Sequence, residues 1–203
     1  MRIHLIRHGQ TDWNKEKRVQ GHSESSLSPE GRSQARALAP ALADYGITHV
    51  YCSPSARTRE TAALLFETSE VTISFHEELR EIFLGPWEGH LQSDIKERYP
   101  DAFDAFWHRP HEFSLEGAEQ FSNVLMRAHR MLASILAIPA AQEVAIVSHG
   151  VWIKALLSDL DARPLARLWD PPVMHNCAHS ILSVDSTHAR PRILKFAGHL
   201  QQG

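Results

Sequence analysis

The segment Arg2-Ile3-His4-Leu5-Ile6-Arg7-His8-Gly9 decides the prediction of the fold. Its residues 2–7 are apolar or alternate in polarity, and Gly9 stops the run, so a β-strand is predicted over 2–7. A second apolar run, residues 144–147, is also followed by a histidine and a glycine, His149 and Gly150. The chain therefore presents the same two residue types after two predicted strands.

Strands and helices alternate along the rest of the chain. Ser28 before Pro29 is typical of a helix start, because serine caps free N–H groups and proline fits the first turn. The pattern predicts helices over 29–46, 55–67, 117–137 and 150–159, and further strands over 48–52, 71–75, 180–184 and 192–196. This order predicts an α/β fold with three layers (α/β/α) and a mostly parallel open sheet, in which the last two strands could pair.

The segment 85–116 departs from this alternation. It contains aromatic residues such as Trp87, Phe106 and Trp107, and prolines such as Pro86 and Pro100 interrupt it. We interpret the segment as short helices that form a small cap insertion.

The composition is that of an ordinary globular protein. Of 203 residues, 43% are hydrophobic and 22% are charged, which excludes a wholly disordered chain. The net charge of -3 argues against a chain-wide nucleic-acid surface. No apolar stretch approaches the roughly 20 residues that cross a bilayer.

These values predict one domain over 1–203, found in the cytoplasm, with no membrane or nucleic-acid partner. Because the first strand begins at Met1 or Arg2, we expect no signal peptide. Cys52 and Cys177 are too few for a disulfide scaffold. We expect a monomer or a homodimer.

The predicted strand ends point to phosphate chemistry. In open parallel sheets the ligand lies beyond the carboxyl ends of the strands, and Arg7, His8, Arg57 and His149 all follow such ends. Arginine binds phosphate oxygens through a planar fork, and a neutral imidazole can attack phosphorus. The second histidine, if protonated, could balance charge on the phosphoryl oxygens, and a nearby carboxyl group should protonate the leaving group.

Seven blocks of sequence carry a resemblance to a known family. They lie, in order, at 5–14, 18–21, 27–31, 53–62, 79–82, 85–89 and 147–150. Together they resemble the signature of the histidine phosphatase superfamily, the phosphoglycerate mutase-like proteins. One departure is Gly117-Ala118-Glu119-Gln120, where the family often has Gly-Glu-Ser.

The resemblance implies a role for each matching residue. His8 would be the nucleophile that becomes phosphorylated, and Glu81 would protonate the leaving group and then activate water. The residues implied to bind phosphate or substrate are Arg7, Asn14, Gln20, Gly21, Arg57, His149 and Gly150. The implied mechanism uses neither a metal nor another cofactor, and the non-attacking nitrogen of His8 would donate to a main-chain carbonyl.

Two local alternatives stay open. Glu77, Glu78 or Glu88 could be the acid instead of Glu81, although Glu88 is better explained as a structural residue in a tight turn. The stretch His175-Asn176-Cys177-Ala178-His179 offers zinc ligands. We interpret it as ordinary strand residues, because no fourth ligand is evident.

Within the resemblance we predict a phosphomonoester hydrolase that acts on a small organic phosphate. Val151 follows Gly150, where the mutases have an asparagine, and the aromatic segment favours a substrate with an apolar or stacking portion. The alternatives are a cofactor-dependent phosphoglycerate mutase and a non-catalytic module that binds a phospho-ligand. A dinucleotide-binding enzyme is disfavoured, since no G-x-G-x-x-G loop follows the first strand.

Overall fold

The computed structural model describes residues 1–138, 143–184 and 190–201. In these ranges one sheet is formed by β1 (Arg2–Arg7), β2 (His49–Cys52), β3 (Thr72–Phe75), β4 (Glu143–Ser148), β5 (His179–Ser183), β6 (Arg192–Phe196) and β7 (His199–Leu200). The strand order is β3-β2-β4-β1-β5-β6-β7. The first four in this order are parallel, and β5, β6 and β7 continue the sheet with antiparallel pairs.

Helices connect and cover these strands. They are α1 (Asp12–Glu16), α2 (Pro29–Ala43), α3 (Ala56–Leu65), α4 (Gln92–Arg98), α5 (Pro100–His108), α6 (Phe121–Leu136) and α7 (Gly150–Leu160). Short 3-10 turns occur at Glu77–Leu79, Gly85–Trp87, Pro110–Glu112 and Leu165–Arg167. No helix of the described ranges combines the length and apolar character needed to cross a membrane.

The predicted α/β fold is confirmed, including the pairing of the last two long strands. Two helices differ most from the prediction, namely α6 in its first residue and α1, which was not predicted. Helix α6 begins at Phe121 rather than at residue 117, because Gly117 has a positive φ of 78° that a right-handed helix does not accept. Helix α1 is only five residues long, which is too short to give a periodic pattern.

Alternating strand residues divide the interior into two cores. Leu5 and Ile146 belong to the larger core, which contains buried residues of α6 and α7. Ile6 and Val147 belong to the smaller core, with buried residues of α2 and α3. Because successive strand side chains point to opposite faces, this division places helices on both faces of the sheet. The result is the three-layer arrangement.

Helix α2 starts against the loop that follows β1. The Ser28 side chain accepts from Gly31 N at 3.0 Å, and Ser28 N donates to Gln10 O at 2.9 Å. A Cβ atom on Gly31 would lie 2.0 Å from Gln10 O. Glycine at this position therefore lets the helix approach the chain directly after His8 and Gly9.

Substitution Gly31→Ala tests this close approach. Inside a helix, alanine normally stabilises relative to glycine by up to ~1 kcal/mol. Here we expect a destabilisation of roughly 1–3 kcal/mol, because the methyl group must displace backbone. Denaturant unfolding measures the difference, with Ser33→Ala on the exposed side of α2 as the control. A stability of Gly31→Ala equal to that of the wild type would contradict the packing.

Candidate active site

The carboxyl ends of β1, β2 and β4 meet at one edge of the sheet, where a cavity of about 470 Å³ opens. Of the residues predicted from sequence, those that line it are Arg7, His8, Asn14, Gln20, Gly21, Arg57, Glu81 and Gly150. His149 is fully buried behind this lining, and its ring centroid lies 5.3 Å from that of His8. The structure thus brings all nine residues to one place.

The ring of His8 is held in a defined tautomer. Its Nδ1 lies 2.7 Å from Gly9 O, and because a carbonyl can only accept, Nδ1 carries the proton. Burial lowers the pKa of His8 well below 6.5, and the positive charges of Arg57 and Arg7 lower the pKa further. The neutral ring therefore has its free lone pair on Nε2, as a nucleophile requires.

Arg57 lies beside His8 and is only 1% exposed. Its Nη1 donates to Ser23 O at 2.9 Å, and Nη2 donates to Gly21 O at 2.7 Å. Its buried Nε has no partner among the described residues. Burial lowers the pKa of Arg57 to about 10, while the negative charge of Glu81 raises it, so the guanidinium stays protonated at neutral pH.

Arg7 repeats this arrangement from the end of β1. Its Nη1 donates to Met174 O, and its buried Nε is without a partner in the described part of the chain. Burial lowers the pKa of Arg7, with the charge of Glu81 opposing that effect. Both guanidinium groups are thus held by main-chain carbonyls in side chains that line the cavity, where arginine can bind phosphate oxygens.

Two amide side chains have their oxygen atoms fixed by the protein. Asn14 Oδ1 accepts from Thr11 N and from Asn176 Nδ2, both at 3.1 Å. Gln20 Oε1 accepts from Thr11 Oγ1 at 3.0 Å and from Ser25 Oγ at 2.6 Å. Since both residues line the cavity, these bonds leave the NH₂ groups as the donors for a ligand.

Gly21 is required by the loop that binds Arg57. Its φ is +53°, and a Cβ atom would lie 2.0 Å from Glu88 Oε1. The Glu88 carboxylate accepts from His22 N at 2.8 Å, Ser23 N at 2.9 Å and Leu84 N at 3.0 Å. Glu88 therefore holds the loop in place, in agreement with its predicted structural role.

Glu81 is bound at the N-terminus of α7. Its carboxylate accepts from Val151 N at 3.0 Å and from Trp152 N at 3.1 Å. The main chain of the same segment is held by Arg127, which donates to Glu78 O and Glu81 O, both at 2.9 Å. Sequence analysis missed Arg127; an arginine on the apolar face of α6 was the available signal.

The other carboxylates considered as the acid lie elsewhere. Glu77 pairs with Arg80 at 2.5 Å, and Glu78 pairs with Arg130 at 3.1 Å. Neither belongs to the cavity lining, which leaves Glu81 as its one carboxylate within the described ranges.

The sequence left open whether His149 carries a proton on both ring nitrogens. Burial lowers its pKa well below 6.5, and the charge of Arg57 lowers it further. His149 is therefore neutral at pH 7. Its Nε2 lies 2.8 Å from Ser53 Oγ, and its Nδ1 is buried with no partner in the described residues. The positive charge beside His8 is that of the arginines.

The segment 175–179 also differs from the prediction. Only His179 belongs to a strand, β5, and its Nε2 lies 3.0 Å from His4 Nδ1. Cys177 has a φ of +53°, and its N–H donates to His8 O, so residues 175–178 form a loop beside the site. Across 1–138, 143–184 and 190–201, no group of three potential ligands is arranged for a metal ion.

The rest of the cavity lining is built by residues that were not predicted from sequence. They are mostly apolar or aromatic and include Val19, Ile82, Phe106, Trp107, Trp169, Val173 and Met174. Arg18, Gln92 and Lys154 complete it. These residues come from separate segments, and only the aromatic character of 85–116 signalled their involvement.

Comparison with known proteins agrees with this geometry. A model of the histidine phosphatase superfamily (branch 1) matches residues 3–197. The chain belongs to this superfamily. It is similar to the Salmonella paratyphi B protein named "Probable phosphoglycerate mutase GpmB", at 30% identity over 164 residues, covering 81% of this chain and 76% of the relative.

Solved structures give the same result. Bacillus stearothermophilus YhfR has a TM-score of 0.93 and 36% identity, over 97% of this chain and 96% of its own. A mycobacterial glucosyl-3-phosphoglycerate phosphatase in complex with VO3 has a TM-score of 0.87 and 30% identity, over 97% and 98% of the two chains. The chain is a superfamily enzyme, either a phosphatase or a mutase.

The protonation state of His8 can be measured directly. We expect a neutral ring with its proton on Nδ1 at pH 6.5, because burial and two arginines lower the pKa. Long-range ¹H–¹⁵N correlation spectra distinguish the three ring states. In Arg57→Gln the pKa of His8 should rise, since one positive charge is removed. A wild-type protonation midpoint at or above 6.5 would contradict the electrostatic argument.

Proposed function

We propose that the chain is a metal-independent phosphomonoester hydrolase that acts through a phosphohistidine on His8, with Glu81 as general acid and base, on a small organic phosphate. The observation that supports this most directly is the hydrogen bond from His8 Nδ1 to Gly9 O. It leaves Nε2 unprotonated in a cavity that Arg7, Arg57 and Glu81 also line.

In the first step, His8 Nε2 attacks phosphorus and the P–O bond to the organic group breaks. The Glu81 carboxyl group gives its proton to the departing oxygen, so that the product leaves as an alcohol. In the second step, the Glu81 carboxylate takes a proton from water, the water oxygen attacks phosphorus, and the P–N bond breaks. Inorganic phosphate and neutral His8 are the products.

The arginines supply the electrostatic part of this mechanism. Their guanidinium groups, which main-chain carbonyls hold in place, and the amides of Asn14 and Gln20 are fixed donors for the phosphoryl oxygens. Donors that are positioned before the reaction need no reorganisation as charge develops, and they act more strongly where water is excluded.

The residues that complete the cavity lining favour a hydrolase over a mutase. A phosphoglycerate carries a carboxylate that needs a second cationic site. Arg18 already pairs with Glu16 at 2.9 Å and donates to Gly89 O at 2.6 Å. Lys154 donates to main-chain carbonyls, and the neighbouring surface is largely apolar. An organic group with an apolar or aromatic portion fits this surface best.

A phosphoglycerate mutase is the second candidate. The name of the Salmonella relative, a probable phosphoglycerate mutase, favours it. A non-catalytic binding module is disfavoured, since His8 and Glu81 are both present. We also propose that 1–203 is one domain in which 85–116 caps the cavity, because Phe106 and Trp107 of α5 line it.

Trapping the phosphoenzyme tests the reaction. With EDTA present, a ³²P-labelled aryl phosphate should be hydrolysed and should transiently label the protein. Because His8 is the nucleophile, His8→Asn should lower kcat by about 10⁴-fold or more and abolish the label. Arg59→Gln, on α3 but outside the cavity lining, is the matched control.

Three other outcomes discriminate the alternatives. A label that passes to added phosphoglycerate rather than to water would favour the mutase. Label and turnover that both survive His8→Asn would overturn the assignment of the nucleophile. Wild-type protein that binds phosphate without label or turnover would indicate a binding module.

A matched pair of primary alkyl esters tests the substrate class. We expect kcat/KM for 2-phenylethyl phosphate to exceed that for 3-(phosphonooxy)propanoate by at least about tenfold, because one adds apolar contact and the other a carboxylate. Trp107→Ala should reduce the ratio, and Trp107→Phe should largely retain it. Equal or higher kcat/KM for the acid would reject an apolar subsite.

A further inference from the structure

Lys154 is a buried cation that the proposed chemistry does not use. It lies on α7 and is 2% exposed. Its Nζ donates to Asp170 O at 2.5 Å and to Pro172 O at 2.7 Å, and it lies 4.8 Å from the centroid of the Phe196 ring. Because a buried ammonium group is costly unless its N–H groups are bonded, both carbonyls are needed where they are.

Those carbonyls belong to residues 170–177, which we call the wall segment. It contains neither helix nor strand. Pro172, Val173 and Met174 of this segment line the cavity. Because no sheet ladder fixes the segment, side chains from other elements hold it: Lys154 at one end, with Arg163 Nη1 donating to Pro171 O at 2.6 Å.

The other end of the wall segment is tied to the phosphate-binding residues. Arg7 donates to Met174 O. Asn176 Nδ2 donates to His8 O at 3.2 Å and to Asn14 Oδ1 at 3.1 Å. The wall segment therefore runs from Lys154 to the phosphate-binding residues, and Val173, between the anchored carbonyls of Pro172 and Met174, lines the cavity.

We propose that Lys154 is a positioning residue whose ammonium group holds the wall segment at the distance from α7 that lets Pro172 and Val173 contact the organic portion of the substrate. This inference rests on the proposed function for the identity of the site. It adds a reason for the site to distinguish a large organic phosphate from a small one. The phosphate end has its own anchors and depends less on Lys154.

The charge of Lys154 makes this role sensitive to pH. Burial lowers its pKa to about 8, and the nearby charge of Arg163 lowers it as well, while Asp170 and Asp161 oppose the shift. Above pH 8 the amine becomes neutral, and its bonds to the two carbonyls lose their charge assistance. The hydrogen bonds from Lys154 to the wall segment should therefore weaken as the pH rises above 8.

Binding of two phosphonates tests the proposal without requiring turnover. Calorimetry gives the dissociation constants of methylphosphonate and 3-phenylpropylphosphonate. The Kd of methylphosphonate divided by the Kd of 3-phenylpropylphosphonate measures how much the organic group strengthens binding. Titration of the site residues common to both ligands cancels in this ratio. At pH 7 we expect Lys154→Met to lower the ratio by about fivefold, near the effect of one lost hydrogen bond, with little change for methylphosphonate.

The pH profile separates positioning from a general structural effect. In the wild type the ratio should fall between pH 7 and 9.5, and in Lys154→Met it should be low and independent of pH. Arg167→Gln is the control, because Arg167 pairs with the Asp170 side chain at 2.6 Å and leaves both carbonyls in place. It should keep the wild-type profile.

The binding measurements can reject either the role of Lys154 or the hydrolase assignment. If Lys154→Met does not fold, the wild-type profile alone is the test, and a ratio that is flat across pH 8 rejects the proposal. An equal loss for both phosphonates rejects it too, since that indicates a defect of the phosphate end. Phosphonate binding that behaves as expected in an enzyme with no turnover would reject the hydrolase assignment and leave the role of Lys154 standing.

Discussion

The burial of two guanidinium groups side by side is the constraint on which the site depends. Arg7 and Arg57 both lie where parallel strands end, and both are removed from water. Buried cations must be hydrogen-bonded or paired, so main-chain carbonyls have to be brought to them. Gly21 and Ser23 provide carbonyls to Arg57, and Met174 provides one to Arg7. Two irregular loops are therefore as much a part of the site as the sheet edge.

This requirement explains residues that take no part in the chemistry. The loop can turn a carbonyl toward Arg57 only because Gly21 accepts a positive φ and leaves room for the Glu88 carboxylate. Glu88 then satisfies main-chain N–H groups of that loop, which would otherwise be unpaired. Arg127 donates to main-chain carbonyls of the segment that carries Glu81 and so holds that segment in place. A substitution at either residue should act through the geometry of its neighbours.

The site residues at the carboxyl ends of the strands could be predicted from the sequence, because their positions depend on local signals. The carboxyl ends of parallel strands, which His8 and His149 follow, lie on the same side of the sheet, and the ordered blocks of the superfamily place Arg57 and Glu81 there too. The other residues that line the cavity were not predictable in this way. Lys154 looks like an ordinary helical residue until residues 170–177 fold over it, and α1 is too short for periodicity. The state of His149 could not be read either, because its neutral form follows from burial and from neighbouring charge.

The neutral state of both histidines restricts which residue of the site can donate a proton. With the pKa of each ring lowered by burial and by the arginines, neither supplies a proton near pH 7. The Nδ1 proton of His8 is committed to Gly9 O, and the guanidinium groups hold their protons too strongly to give them up. Among the described residues that line the cavity, Glu81 is the carboxyl group that remains. In the proposed mechanism the leaving alkoxide therefore takes its proton from Glu81, while the role of the arginines is to stabilise charge on the phosphoryl group.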